Sequence, residues 1–255
     1  MKSTEKQSAM YIFRNGDQKQ EYDDVLQEHR MDIYVNDQLV MKVVCTPSYL
    51  EELVLGRLLT EQYISSVREI DMMYLCDEKY RAKVFLKKDM KDFIAEKNLM
   101  VPTCCTDNES VQIKRNESCT LIPDYHWYTS WIFHAADVFS NDTQLHKQTM
   151  GTHSCSLFQE NEFLISCEDI GRHNAVDKVI GWAMRHHIDL KTCMLYTSGR
   201  MPLDIVRKAI RAQIPVLIGK GVPTVQSVEL AQTYGLTLIG AARSDRIKVY
   251  NDHSR

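Results

Sequence analysis

Short apolar segments alternate with segments of helical periodicity over the last third of the chain, and this alternation constrains the fold more than any other feature. One helix is predicted to start at Pro202, and another covers 224–234 and stops at Gly235. The predicted strands around them are 193–197, 215–219, 236–240 and 247–250. Strands that alternate with helices form βαβ crossovers, so the pattern predicts an α/β fold with a mostly parallel sheet.

Composition and patterning divide the chain into four predicted regions. Residues 1–24 are polar and are expected to form a loose tail, whereas 25–101 are expected to form a smaller N-terminal α+β region. The polar segment 102–125 has a proline near each end and is predicted to be a mobile loop that carries cysteines. Residues 126–255 are predicted to form the α/β core domain.

Local signals within the N-terminal region predict a hairpin and a helix. The turn-forming pair Asn36-Asp37 lies between apolar residues over 31–44, which is typical of a hairpin. A helix is predicted to follow, because Ser48 and Glu51 match a capping box. Two further strands are predicted at 70–76 and 80–87.

The charge and composition of the chain argue against several classes of protein. A net charge of −3 argues against a broad surface that binds nucleic acid. No segment approaches the roughly 20 apolar residues that a membrane helix needs, and the polar N-terminus lacks the apolar stretch of a signal peptide. The eight cysteines are therefore interpreted as thiols in a reducing compartment, which predicts a cytoplasmic protein.

Three loops follow the predicted parallel strands, at 198–200, 220–222 and 241–246, and each carries a cation. Ligands of open α/β sheets bind beyond the carboxyl ends of the strands, where glycines and helix N-termini favour anions. A Ser-Gly turn before a helix is more often only a turn, but three cationic loops together predict a phosphate or pyrophosphate site. The residues predicted to form it are Ser198, Gly199, Arg200, Lys220, Arg243 and Arg246.

The densest polar cluster, 168–178, precedes an apolar helical stripe, so a helix is predicted to begin near Gly171. Two interpretations of its first turn stay open. It is either a capped helix with a surface ion pair between His173 and Asp177, or a helix start that contacts a ligand. In the second case the contacting residues are Arg172, His173 and Asn174.

His153 and the adjacent cysteines Cys104-Cys105 are the other candidate functional residues. A lone histidine is more often structural than catalytic, and the spacing of His153-Ser154-Cys155 does not predict a zinc site. Exposed cysteines in a polar loop are candidate nucleophiles or persulfide carriers, whereas a buried structural role is the usual alternative.

The segment EDIGRHNAVDKVIG at 168–181 closely resembles the signature of the formate dehydrogenase accessory proteins, the FdhD/NarQ family. Further similarities follow in the family's order, with TMGTH at 149–153 upstream and TSGR at 197–200 and GLTLIG at 235–240 downstream. The resemblance covers about residues 28–251.

This resemblance implies a cytidine-deaminase-like three-layer core without the deaminase zinc site. It also implies a homodimer that takes sulfur from a cysteine desulfurase as a persulfide. That sulfur would pass to the molybdenum bis-guanine-dinucleotide cofactor, the transferred cargo, for formate dehydrogenase. A GDP-like nucleotide would bind at the site of this cofactor. The family's cofactor-binding loop falls on Ala241, Ala242, Arg243, Ser244, Asp245 and Arg246.

The chain departs from the family at the cysteines of the polar loop. The family usually has Ser-Cys-Gly-x-Cys-Gly there, and counting back from Ile113 places Cys105 at the first cysteine and Asn108 at the second. A relay through Cys-x-x-Cys is therefore impossible in this loop. Three alternatives stay open. One thiol suffices for sulfur transfer, Cys104 substitutes for the missing cysteine, or the protein binds the cofactor as a chaperone without moving sulfur. A nucleoside deaminase is a weaker interpretation, because the metal ligands are missing.

Overall fold

The computed structural model describes residues 1–87, 109–110, 119–141 and 143–254, and this part of the chain forms six α-helices and thirteen strands. The helices are α1 Leu50–Thr60, α2 Thr129–Asn141, α3 Gln144–Thr149, α4 Arg172–Arg185, α5 Leu203–Arg211 and α6 Val225–Tyr234. The strands are β1 Thr4–Ile12, β2 Gln18–Leu26, β3 His29–Val35, β4 Gln38–Cys45, β5 Ile70–Leu75, β6 Arg81–Leu86, β7 Glu109–Ser110, β8 His153–Gln159, β9 Glu162–Asp169, β10 Cys193–Thr197, β11 Val216–Gly219, β12 Thr237–Gly240 and β13 Lys248–Asn251. None of the described helices combines the length and the apolar character that crossing a membrane requires.

A mixed six-stranded sheet with the order β13-β12-β11-β10-β8-β9 forms the centre of the C-terminal half. The predicted strands and βαβ crossovers of this half are present, since β10, β11 and β12 pair in parallel. The expectation of a mostly parallel sheet is wrong, because β8, β9 and β13 all pair antiparallel to their neighbours. The hairpin β8–β9 turns over two residues, and so short a connection allows only antiparallel pairing.

Helices cover both faces of this sheet, which makes the fold a mixed α/β fold. On one face, α2 packs through Ile132 and Phe139 against the strand residues Met194, Tyr196 and Ile218. On the other face, α4, α5 and α6 contribute to a larger core that continues into α1 and the N-terminal sheet. The finer likeness to cytidine deaminases stays a prediction.

The N-terminal sheet has the order β5-β6-β3-β4-β7. The predicted hairpin over 31–44 is confirmed as β3–β4, and both residues of its turn take the left-handed conformation, with φ of 46° at Asn36 and 63° at Asp37. This is the conformation of the two-residue turns that match strand twist. The predicted strands at 70–76 and 80–87 are also present, as β5 and β6.

The predicted capping box at the start of α1 is not formed. The N-cap is Tyr49, with φ of 52° and no side-chain hydrogen bond to the helix. The Ser48 hydroxyl instead lies 3.5 Å from Nζ of the buried Lys178. A tertiary contact therefore replaces the local cap that the sequence pattern predicts.

Residues 1–24, predicted to be a loose tail, form most of an antiparallel hairpin of β1 and β2. The register pairs Thr4 with Leu26 and Ile12 with Gln18, so the predicted boundary after residue 24 falls inside β2. Most of its residues are exposed, which explains why no apolar alternation marks these strands. The backbone ladder is supplemented by cross-strand pairs, such as Lys6 with Asp24 at 3.0 Å.

Helices α1 and α4 cross in direct backbone contact at two glycines. A Cβ added at Gly56 would lie 1.8 Å from the carbonyl oxygen of Asp177, and one added at Gly181 would lie 1.8 Å from the carbonyl oxygen of Glu52. Real Cβ atoms do not approach backbone oxygens so closely. The absence of side chains at both positions therefore sets the distance between the N-terminal region and the C-terminal half.

Buried charges line the same crossing. Asp177 is fully buried and accepts hydrogen bonds from Lys208 at 2.9 and 3.0 Å and from Thr60 at 2.7 Å, while Arg57 lies 3.2 Å away. Burial alone would raise the pKa of the neighbouring Glu61, but Lys208, Arg57 and Arg211 outweigh burial and lower that pKa to about 2. The interpretation of Asp177 as a surface partner of His173 is therefore wrong.

Substituting either crossing glycine tests whether this backbone contact holds the two regions together. Gly56→Ala and Gly181→Ala should each lower the free energy of unfolding by about 1–3 kcal/mol or more, because the added methyl forces the helices apart. Urea unfolding followed by circular dichroism measures the effect.

The matched control is Gly151→Ala, whose added Cβ would come closer than ordinary contact distance only to the flexible side-chain end of Leu26. This variant should lose much less stability. Equal losses for all three variants would contradict the importance of the α1–α4 contact.

Candidate functional site

One edge of the six-stranded sheet collects most of the residues that the sequence singles out. The parallel strands β10, β11 and β12 all end at this edge. Strand β8 runs antiparallel to β10, with Cys155 opposite Thr197, so its first residue, His153, lies at the same edge. His153 in turn pairs with Asp169, the last residue of β9, and α4 begins just beyond it. We call this the carboxyl edge.

The three cationic loops contact one another at the carboxyl edge. The amide of Met201 donates to the carbonyl of Val222 at 3.1 Å, and that of Ala241 donates to the carbonyl of Gly221 at 2.8 Å. A Cβ added at Gly221 would lie 2.6 Å from the carbonyl oxygen of Gly199. The loops are therefore parts of one surface, as the sequence pattern predicted for strands of one sheet.

The four loop cations are exposed, but they are not equivalent. The guanidinium of Arg243 donates to the carbonyls of Lys220 and Ala242, both at 2.7 Å, so it braces one loop against the next. Arg200, Lys220 and Arg246 place their charges on the exposed surface of the edge. Ser244 and Asp245 are exposed beside them. The arrangement can bind an anion through the charges of the loops.

Ala241 and Ala242 shape the backbone of the third loop rather than its charge. Ala241 has φ of 49°, a left-handed conformation that is unfavourable for a residue with a Cβ. Ala242 is fully buried, and its carbonyl accepts a hydrogen bond from the Tyr196 hydroxyl at 3.0 Å. Burial raises the pKa of Tyr196 to about 12, so this hydroxyl keeps its proton at neutral pH.

Half-buried His153 and Ser198 form a cluster with the buried Arg172 beside the loops. Nδ1 of His153 lies 3.4 Å from the Ser198 hydroxyl, which also accepts from the backbone amide of Ser154 at 3.0 Å. A Cβ added at Gly199 would lie 3.3 Å from the Arg172 side chain. Burial and then the charge of Arg172 lower the pKa of His153, so its neutral form dominates at neutral pH.

The first turn of α4 sends its polar side chains to different places. His173 lies 2.7 Å from a carboxylate oxygen of Asp204, in the first turn of α5. Asn174 is fully buried, and its amide donates to the carbonyl of Val44 at 2.8 Å and to Asp169 at 2.9 Å. Asn174 therefore contacts the N-terminal region. The prediction that it contacts a ligand at the open edge is wrong.

Asp169 and Lys178 fix the start of α4 and were not predicted as site residues. Asp169 is fully buried, lies 2.6 Å from Nζ of Lys178 and accepts from the amide of Gly171 at 2.9 Å. It also accepts from the amide of Thr46 at 3.0 Å. The polar cluster 168–178 contains this pair, but its sequence does not show which of its charges are buried.

Cys104 and Cys105 lie outside the described residues. Among the described cysteines, four are buried and two are half-buried, Cys76 and Cys119. Burial is the main cause that raises the pKa of each buried thiol. The pKa is about 12 in Cys45 and Cys167, about 11 in Cys193, and well above the usual value in Cys155. Thiols in this state are poor nucleophiles at neutral pH.

The fold and the site define the chain as a mixed α/β protein with a basic, loop-built edge. A solved formate dehydrogenase accessory protein from Desulfotalea psychrophila has the same fold, with a TM-score of 0.79 at 25% identity, and the match covers 98% of this chain and 97% of that one.

Curated relatives are similar over nearly the whole chain. A sulfur carrier protein FdhD from Listeria monocytogenes serotype 4b is 30% identical, with 91% of this chain and 90% of that protein covered. A sulfur carrier protein FdhD from Geobacillus kaustophilus is 31% identical, with 95% and 94% covered. The model of the FdhD/NarQ family matches residues 26–255. The chain belongs to the FdhD/NarQ family, as its motifs predicted.

The left-handed conformation of Ala241 gives a direct test of the loop geometry. Ala241→Gly should raise the free energy of unfolding by about 1 kcal/mol, because glycine adopts positive φ without the Cβ clash. Ala242→Gly is the matched control and should lower it, because Ala242 is buried in the core. Urea unfolding compares the two variants, and a loss of stability in Ala241→Gly would contradict the described loop.

Proposed function

We propose that this protein is a sulfur carrier that receives persulfide sulfur from a cysteine desulfurase and passes it to the molybdenum bis-guanine-dinucleotide cofactor for formate dehydrogenase. The observation that carries the proposal is the meeting of three basic loops at the carboxyl edge, in a family whose relatives bear the name of sulfur carrier. The proposed setting is the cytoplasm, and the proposed assembly is a homodimer.

The chemistry of the carboxyl edge fits the nucleotide end of such a cofactor. A guanine dinucleotide carries a pyrophosphate, which accepts charge-assisted hydrogen bonds from guanidinium and ammonium groups. Arg200, Lys220 and Arg246 are exposed on the three loops of this edge, and Arg243 braces two of those loops. A GDP-like nucleotide offers the same diphosphate and serves as a probe for the site.

The sulfur step needs one accessible thiol and no added oxidant. The thiolate of Cys105 attacks the terminal sulfur of the donor's persulfide, the donor's sulfur–sulfur bond breaks, and the donor leaves as a thiolate. Cys105 then carries the persulfide, and the electrons balance within the exchange. The high pKa of the four buried thiols makes them unsuitable for this role.

The alternative function is a cofactor-binding chaperone that moves no sulfur. The observation that favours it is the replacement of the family's second loop cysteine by Asn108. The carboxyl edge would serve either function equally, so binding of the nucleotide does not distinguish them. Only the fate of sulfur on the chain does.

Replacing Arg246 tests the nucleotide site. Arg246→Ala should weaken GDP binding about tenfold or more, because a hydrogen bond to a charged group contributes roughly 1.5–3 kcal/mol. Arg243→Ala should weaken it as well, through the loss of the brace on the Lys220 loop. Titration calorimetry measures both.

The control for these variants is Arg68→Ala, an exposed arginine outside the carboxyl edge, which should bind GDP like the native protein. Native affinity in both Arg243→Ala and Arg246→Ala would show that the edge is not the nucleotide site.

Mass spectrometry after incubation with a cysteine desulfurase and cysteine tests sulfur transfer. The peptide with residues 104–105 should gain the mass of one sulfur atom, because a thiolate is the nucleophile that accepts the persulfide sulfur. The gain should disappear in Cys105→Ala and persist in Cys104→Ala. If the native chain gains no sulfur while a family member with Cys-x-x-Cys does so in parallel, the carrier function is wrong and the chaperone function replaces it.

A further inference from the structure

Two histidines at the carboxyl edge have partners of different charge. His173 is 4% exposed and faces a carboxylate, Asp204, at 2.7 Å. His153 faces a neutral hydroxyl, that of Ser198, at 3.4 Å. Both partners come from the same stretch of chain between β10 and the first turn of α5. This stretch also carries Arg200, so it sets the charge of the edge as a whole.

We propose that Asp204 is a positioning residue that holds His173 as a cation while His153 beside it stays neutral, so that the carboxyl edge keeps a fixed positive charge for a phosphate-type anion. Asp204 lies outside the loops predicted to bind the ligand. The identity of the anion rests on the proposed function, but the charge states of the two rings do not.

The geometry of the Asp204 carboxylate supports the cationic state of His173. An ionised carboxylate only accepts hydrogen bonds, so Nε2 of His173 carries a proton in this pair, whether the ring is neutral or cationic. Burial of the ring opposes the second proton, and the adjacent carboxylate charge favours it. The second oxygen of Asp204 accepts from the amide of Ile205 at 2.9 Å, which fixes the carboxylate at the N-terminus of α5. A negative charge within hydrogen-bond distance favours the protonated ring.

The surroundings of His153 act in the other direction. Burial lowers its pKa first, and the positive charges of Arg172, His146 and His173 lower it further, against a smaller opposing effect of Asp169. These groups come from α4, α3 and β9, the elements that surround the start of β8. A cationic His173 is one of the causes that keep His153 neutral, so the two charge states depend on each other.

The different environments of His153 and His173 predict how the affinity for an anion depends on pH. The edge keeps the charge of His173 and Arg172 through the neutral range, and GDP affinity should change little there. At acid pH His153 gains a proton and adds a second imidazolium, so the affinity should rise. Arg172 lies near His153 and lowers its pKa, Asp169 acts on that pKa in the opposite direction, and Asp204 contacts His173.

Histidine side-chain NMR of the full chain, without nucleotide, tests the proposal. Resonances are assigned with His153→Gln and His173→Gln. His173 should titrate at least about one pH unit above His153, and Asp204→Asn should lower the His173 midpoint by about one unit. Glu229→Gln, an exposed carboxyl on α6, should leave both midpoints unchanged.

Coincident or reversed midpoints in the native chain would overturn the proposal, whether or not Asp204→Asn folds. An unshifted His173 midpoint in a folded Asp204→Asn would also overturn it. GDP calorimetry in parallel separates the two proposals. Separated midpoints without GDP binding would leave the charge states intact and reject the nucleotide site, and GDP binding with coincident midpoints would do the reverse.

Discussion

The backbone contact between α1 and α4 at Gly56 and Gly181 is the constraint on which the rest of the structure depends. It brings the N-terminal sheet so close to the C-terminal half that the charged side chains at the crossing are buried from solvent. Those charges then require partners, and Asp177 finds them in Lys208 and Arg57. Buried ion pairs of this kind add little net stability, but losing one partner is costly, about 3–5 kcal/mol. These ion pairs therefore stabilise one relative placement of the two halves over the others.

The same packing determines where the candidate site forms. Asp169 ends β9 and links it to two other parts of the chain. It contacts α4 through Lys178 and the N-cap amide of Gly171, and it contacts the segment before α1 through the amide of Thr46. It thereby fixes the position at which α4 begins, and with it the place of Arg172 and His173 beside the loops. The carboxyl edge is thus supported from behind by buried charge, while its own exposed charges stay available to a ligand. Rigid support behind an exposed binding surface is what precise ligand placement requires.

Much of this architecture follows from local sequence patterns, and the failures have physical causes. The strands and helices after residue 193 were predictable because their apolar periods agree with burial, and Asn36-Asp37 predicted its turn because few residues take left-handed φ. The strands of β1–β2 were missed because their polar side chains remain exposed. The roles of Asp177 and Asn174 were missed because helical spacing shows which residues share a face, but not that Lys208 or Val44 lies opposite. The edge loops were placed correctly by topology, whereas the brace by Arg243 and the pairing of Asp204 with His173 depend on tertiary contacts.

Hydrogen exchange of the full chain with and without GDP tests most directly whether the carboxyl edge is the ligand site. The amides of 198–200, 220–222 and 241–246 should exchange more slowly with GDP, because the diphosphate would contact all three loops on one surface. The amides around Gly56 and Gly181 should not change, because that crossing is already packed without ligand. Protection confined to other segments, or a nucleotide that binds without protecting these loops, would contradict the assignment of the carboxyl edge.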